Sequence, residues 1–283
     1  MKTDRDAMPD RANAGNPRAA DGPMAAPSSP LDWCMPDEAD AHKATWMAYG
    51  ASSAIWPRAQ VAQLQLALVR IANAIAVYEP VNMLVRPADM QAARQLLDEK
   101  VTLIAAPLDD LWMRDTGPVF VRNAQGERAC VGFNFNGWGN KQGFGHDRQV
   151  AALVAAQAQL PLLATTLVLE GGALEVDGQG TAILTESCVL NRNRNPGWSR
   201  ADCEAELHRL LGIRKVIWLP GIKNMDITDA HTDFYARFVR PGVVVAHREM
   251  NPASYDYALT RQHLVILQSA TDADQQPLEV IAI

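Results

Sequence analysis

A chain of 283 residues with 48% hydrophobic content carries enough apolar material for one large or two modest domains and a sizeable core. Its formal charge of −6 and pI near 5.5 set it against nucleic acid or an anionic membrane as partner and match a small cation better. No apolar run approaches the roughly 18 residues of a membrane span, no signal peptide is expected, and Cys34, Cys130, Cys188 and Cys203 form no Cys-x-x-Cys pair, so reduced thiols in a cytoplasmic protein are the expectation.

Residues 1–30 are rich in Ala, Pro, Asp, Asn and Gly, with methionine their only large apolar residue. They cannot offset their ordering entropy and are expected to be a disordered tail, leaving a folded domain over 31–283. Thr45–Tyr49 reads as a first strand; Val61, Leu64, Leu68, Ile71 and Ile75 then recur at helical spacing. Val81–Val85 is a predicted strand, Ala88–Leu97 a helix and Val101–Ala105 a strand.

A period follows. Val119–Val121 and Ala129–Phe133 read as a hairpin, Val150–Gln159 as a helix and Thr165–Leu169 as a buried strand. Ala173–Val176 and Thr181–Thr185 flank the turn signal Asp177-Gly178, Arg200–Leu211 is a helix and Val216–Leu219 a strand. Phe234–Val239 and Val243–Ala246 flank Pro241-Gly242, with Tyr255–Leu267 a helix and Leu278–Ile283 a strand. The helices start near 150, 200 and 255. The spacing predicts an α/β fold in which a β-β-α-β unit occurs three times.

Three polar stretches stand where one unit hands over to the next: Trp112-Met113-Arg114-Asp115-Thr116-Gly117-Pro118, Glu170-Gly171-Gly172, and Asp226–Phe238 with its His231 and Asp233. Repeats packed about an axis bring such junctions to one place. Each residue has a plainer alternative: Asp115 as a loop cap, Trp112 as core, His231 as a structural histidine. Glu170 carries more information, because a carboxylate ending the apolar run Leu167-Val168-Leu169 is costly to bury unless paired. Gly171 and Gly172 then permit close backbone approach. His231 and Asp233, two apart before a predicted strand, are expected to share its face. Metal is not expected, since no other histidine stands at ligand spacing to His231; His208, His247 and His263 read as surface. Converging carboxylates and an imidazole suit a planar guanidinium cation. Breaking its C–N bond also requires a nucleophile, for which Cys188 and Cys34 have only weak claims.

These stretches, with Phe133-Asn134-Phe135-Asn136-Gly137-Trp138-Gly139 and Leu190-Asn191-Arg192-Asn193-Arg194-Asn195-Pro196, occur in an order that resembles the agmatine deiminases of the bacterial peptidyl-arginine-deiminase-like family. The resemblance runs from about Met35 to the last residue. It implies a pentein-type β/α propeller of repeated ββαβ modules, with the last blade incomplete in this chain. It also implies a catalytic set of His231 as general acid and base, Glu170 orienting it, and Asp115 and Asp233 on the guanidinium nitrogens; Trp112, beside two charges, is read from the residues themselves as a wall for an aliphatic substrate. The implied reaction is cysteine attack on the guanidinium carbon of agmatine, loss of ammonia and hydrolysis to N-carbamoylputrescine, with no metal or organic cofactor. The implied partner is a small cationic guanidine, with no nucleic acid and no membrane, and a homodimer is compatible with it.

Two departures accompany the resemblance. The family has glycine where this chain has Ala230, a matter of consequence if φ there is positive. The family's nucleophilic cysteine lies in a Gly-rich segment beyond Ile283, so the expectation is a C-terminally truncated chain that holds the cradle without the nucleophile. A non-catalytic guanidinium-binding or vestigial protein, and a deiminase of free or peptidyl arginine, remain as alternatives.

Overall fold

Among the described residues the strands form four three-stranded sheets, and three of them repeat one topology. The computed structural model describes residues 33–283; the expected disordered tail over 1–30 lies outside the described residues. In the first sheet β1 (Thr45–Tyr49), β2 (Val81–Val85) and β3 (Val101–Ala105) are all parallel. Parallel neighbours need long crossovers, supplied by the helices Arg58–Ile75 and Met90–Leu96.

The next three sheets each join an antiparallel hairpin to a parallel third strand. They are β4 (Val119–Arg122), β5 (Arg128–Val131) and β6 (Leu162–Leu163); β7 (Glu175–Val176), β8 (Thr181–Thr185) and β9 (Lys215–Leu219); and β10 (Ala236–Arg240), β11 (Val243–Ala246) and β12 (Glu279–Ala282). The helices Val150–Gln157, Arg200–Leu211 and Tyr257–Ser269 make the respective crossovers. The β-β-α-β repeat read from the spacing is therefore present. Among the described residues no helix is long and apolar enough to cross a membrane.

Local chemistry explains the sharpest boundaries. Ser199 and Asp202 form a reciprocal capping box at the start of Arg200–Leu211, and Gly212 at φ +70 ends it. Side-chain alternation then buries β8 on both faces. Ala182 and Leu184 join a core with Val121, Val131, Leu169, Leu207 and Leu210, whereas Ile183 joins Ile217, Leu219, Val244, Leu264 and Leu267.

Three expectations are corrected. Thr165–Leu169 is not a strand; the parallel partner of β5 is Leu162–Leu163. Leu167 and Leu169 are buried as expected, but side-chain amides replace a ladder: Asn134 Nδ2 donates to the carbonyls of Thr165 and Leu167, and Asn195 exchanges hydrogen bonds with Val168. The strand expected from Phe234 begins at Ala236, because Thr232–Phe234 is a single 3-10 turn. His263 is not on a surface; it is fully buried edge-on to Tyr235, with Nε2 2.6 Å from the Pro220 carbonyl.

Candidate active site

The segment leading to His231 is a wound loop. Asp226 Oδ1 accepts from the Thr228 amide at 2.6 Å and Oδ2 from the Ala230 amide at 2.9 Å, while Thr228 Oγ1 accepts from the His231 amide at 3.0 Å. These contacts force two successive residues into the left-handed region, Asp229 at φ +63 and Ala230 at φ +73. The 3-10 turn that follows directs His231 and Asp233 into one pocket. Their convergence, expected from a shared strand face, comes instead from this turn.

The pocket holds about 430 Å³ and is lined by Asp115, His231 and Asp233 at one end and by Trp56, Trp112, Trp138 and Phe234 on its walls. Gly172 packs against all three polar groups at that end. A β-carbon there would lie 2.5 Å from His231 Nδ1 and 2.9 Å from both Asp115 Oδ1 and Asp233 Oδ2, so only glycine admits the three groups together. The Gly172 amide donates to Asp115 Oδ1 at 3.1 Å and the Trp138 indole donates to Asp115 Oδ2 at 2.9 Å. Trp138 reaches it from a loop in which Asn134, Gly137, Trp138, Gly139 and Asn140 all have positive φ. Burial pushes the carboxyl of Asp115 up against the opposing pull of His231, and burial does the same to Asp233. Asp233 Oδ1 is buried and accepts no hydrogen bond from the described residues.

Behind the imidazole, His231 Nε2 lies 3.3 Å from Glu170 Oε2, and Nδ1 lies 3.8 Å from Asp115 Oδ1. Burial alone would lower the imidazole pKa. Contact with Cys188 and Glu170, together with the field of Asp115, outweighs it and holds the pKa well above the ordinary value. Glu170 is fully buried and stays ionised against that burial, because His231 and the Arg194 guanidinium both favour its charged form. The pairing that the sequence demanded for Glu170 is thus Arg194, at 2.9 and 3.0 Å.

On the wall, Asp110 accepts four hydrogen bonds: from Trp56 Nε1 (2.7 Å) and the Leu111 amide on Oδ1, and from Trp112 Nε1 (3.0 Å) and Gln142 Nε2 on Oδ2. That fills the capacity of a carboxylate. Asp110 therefore clamps two indoles and offers no free oxygen to a ligand.

All five expected residues meet here. Asp115, His231, Asp233 and the half-exposed Trp112 line the pocket, and Glu170 backs it. The sequence reading misses Asp110 and gives no role to Trp138 or Arg194, although both lie within the motifs that carry the resemblance. The Asn-Arg-Asn-Arg-Asn run of the Leu190–Pro196 motif is the source of the buried cation, Arg194. Cys188 Sγ lies 3.7 Å from Glu170 Oε2 and is not among the residues that line the pocket. Burial, and then the charge of Glu170, push its thiol up, which suits a structural group and not a nucleophile. Cys130 and Cys203 are buried in strand β5 and helix Arg200–Leu211 and pushed up to about 11 and about 12 by burial, and Cys34 lies near Arg122 and Gly178. Ligand atoms of Glu170, Cys188 and His231 lie within 4.8 Å of one another, a set able to hold a metal by distance alone. Arg194 already occupies both oxygens of Glu170, and its positive charge opposes a cation there.

Residues 34–283 match the family described as Porphyromonas-type peptidyl-arginine deiminase. The chain belongs to this family. A Streptomyces coelicolor relative, provisionally named agmatine deiminase, is 41% identical over 256 residues, which are 88% of this chain and 76% of that protein. The agmatine deiminase of Pseudomonas fluorescens is 38% identical over 253 residues, covering 87% of this chain and 68% of that one. Among solved structures, the agmatine deiminase of Enterococcus faecalis superposes with a TM-score of 0.84 and 31% identity over 89% of this chain and 70% of that one. The mixed α/β fold of this chain is the pentein fold that those family members share.

Proposed function

We propose that the pocket binds agmatine by its guanidinium group and that the chain is of agmatine deiminase lineage, the reaction of that lineage being agmatine and water to N-carbamoylputrescine and ammonia. The observation that carries the reading is Asp233 Oδ1, a buried carboxylate oxygen without a donor among the described residues, with Asp115 and Gly172 close by. A guanidinium presents planar N–H donors in pairs, and two carboxylates at one end of an apolar slot match them. In this reading Asp115 and Asp233 hold the nitrogens. His231 moves the protons, and Glu170 fixes its ring. Trp112 and Trp56 flank the aliphatic chain.

The relatives named agmatine deiminase support the lineage. None of Cys34, Cys130, Cys188 and Cys203 lines the pocket. The 283-residue chain is accordingly proposed to bind agmatine without turning it over. Isothermal titration with agmatine, together with an assay of ammonia and N-carbamoylputrescine, tests both parts. Binding without product is the expected result. Absence of binding by a folded chain would sink the cradle, and turnover lost in Cys188→Ser would assign the nucleophile to Cys188.

A second reading, a deiminase of arginine, is favoured by one observation. Arg114 lines the pocket and could meet a carboxylate, although it is paired with Glu38. Saturation of Asp110 leaves the other cationic end of agmatine to the indole faces. Titration with arginine beside agmatine separates the two.

A further inference from the structure

The guanidinium of Arg194 is fully buried and uses all three of its nitrogens. Nε donates to both oxygens of Glu170, Nη1 donates to Asp229 Oδ2 at 2.9 Å, and Nη2 donates to the Thr228 carbonyl at 2.9 Å. Glu170 is the carboxylate that faces His231 Nε2. Thr228 and Asp229 are the residues that lead, through Ala230, into His231. One planar cation therefore joins the partner of the imidazole to the loop that carries the imidazole.

We propose that Arg194 is a positioning residue for His231: its fork holds Glu170 and the Thr228–Asp229 loop in one frame, and so sets where the imidazole stands and which of its nitrogens faces the pocket. With Glu170 acceptor-only, Nε2 carries its hydrogen toward Glu170, and Nδ1 is the nitrogen turned to Asp115 and Gly172. The second leg of the fork is anchored in turn. Asp229 also receives Lys141 Nζ at 2.7 Å and Asn193 Nδ2 at 3.0 Å, and Lys141 belongs to the loop that presents Trp138 to Asp115. The frame thus closes on the other side of the pocket.

The shape of the group matters as well as its charge. A lysine ammonium could neutralise Glu170, but it lacks the rigid spread of donors that reaches a carboxylate, a second carboxylate and a carbonyl at once. Removing the charge has a sign that is easy to misjudge. The Cys188 thiol stands beside Glu170, and Asp115 and Asp233 face His231 from the pocket. Without the charge of Arg194, Glu170 would keep His231 as its cation among the described residues, so the pair would hold its proton more tightly and release it at higher pH.

The inference rests on the reading of His231 as the proton carrier, but its test does not require turnover. Histidine labelled with nitrogen-15 reports both the His231 titration and its tautomer by NMR. In Arg194→Met the His231 midpoint is expected to rise by about one unit or more, the usual effect of an ion within a few ångströms. In Arg194→Lys it is expected to stay near that of the parent chain, while the ring nitrogen resonances shift because the frame is lost. Ring resonances in folded Arg194→Lys that superimpose on those of the parent would overturn the positioning role. An unchanged midpoint in folded Arg194→Met would overturn the electrostatic half, and Arg194→Lys keeps the test open if the methionine variant does not fold. Failure of agmatine to bind the parent chain would sink the functional reading and leave this result standing.

Discussion

Gly172 and His231 stand so close that a β-carbon on the one would lie 2.5 Å from Nδ1 of the other. The same β-carbon would press on Asp115 Oδ1 and Asp233 Oδ2 at 2.9 Å. Gly172→Ala must therefore displace the imidazole or spread the two carboxylates. Agmatine affinity is expected to fall at least tenfold. The accompanying loss of stability should be about 1–3 kcal/mol, as for overpacking elsewhere. Titration calorimetry and thermal unfolding read the two effects, and full affinity in the alanine variant would show that the close approach of Gly172 does not set the spacing of the three groups.

Much of the scaffold was legible because local signals agreed with the final fold. The helical spacing of Val61, Leu64, Leu68, Ile71 and Ile75 marks one helix, and the turn signal Asp177-Gly178 places a hairpin. Thr165–Leu169 misled because its apolar spacing is that of a strand, while its carbonyls are taken by Asn134 and Asn195 from distant segments. In the site, Asp115, Glu170, His231 and Asp233 stood out as polar residues at module junctions. Arg194 did not, since its meaning lies in contacts 24 and 35 residues away. A charged residue packed among asparagines after an apolar Leu190 was the signal that could have found it.

Trp138 offers the second test. Its indole packs edge-to-face on Phe135 at 5.0 Å and donates its one hydrogen to Asp115 Oδ2. Trp138→Phe keeps an aromatic face and removes the donor from a buried carboxylate. An unsatisfied buried acceptor costs about 1–3 kcal/mol, so agmatine should bind roughly five- to a hundredfold more weakly. The loss should grow as pH falls, because the Asp115 carboxyl, already raised by burial, protonates more readily. Equal affinities for parent and variant across pH 5 to 8 would deny the indole this role.

Acid should at first strengthen the fold. Burial pushes Asp147 up to about 6 despite donors from the Asp109 and Asp110 amides, and pushes Glu175 up to about 7 despite Arg237. A carboxyl raised in the native state binds protons there that the unfolded chain does not, so stability rises as pH falls from about 7 toward 4. Asp229 has the opposite sign. Held at about 2, against burial, by Lys141, Asn193, the Asn224 amide and Arg194, it adds stability above about pH 4 that is lost as pH drops through 2. His263, buried and lowered in pKa by burial, opposes the rise from the two raised carboxyls below about pH 6.5, so the carboxyl contribution is read as the difference in denaturant midpoints between the parent and a variant. Replacing Asp147 by Asn should flatten the rise between pH 7 and 5 by on the order of 1 kcal/mol. Parallel pH profiles for the parent and the Asp147→Asn variant from pH 7 to 5 would contradict the raised carboxyl of Asp147.

Ala230 weighs backbone strain against packing. At φ +73 an alanine sits in the left-handed region, at a penalty of roughly 1–2 kcal/mol relative to its usual conformations. Its methyl group is buried against Tyr235, Leu259 and Ile222, and one buried methyl contributes about 0.8 kcal/mol. Replacing it by glycine also restores unfolded-state freedom, a loss of about 0.4–1 kcal/mol. These contributions nearly cancel. Ala230→Gly should therefore leave the unfolding free energy within about 1 kcal/mol of the parent. The presence of alanine beside His231 is then no obstacle to the fold. Ala230→Val should instead lose well over 2 kcal/mol, because a branched side chain tolerates positive φ poorly and would overfill the space beside Gly221, where the alanine methyl already stands 2.9 Å from the position of a Gly221 β-carbon. Denaturant unfolding of both variants decides the matter. A glycine variant stabilised by several kcal/mol would mean that the strain at Ala230 far exceeds the packing it provides, and a tolerated valine would mean that the loop does not hold the left-handed turn that aims His231.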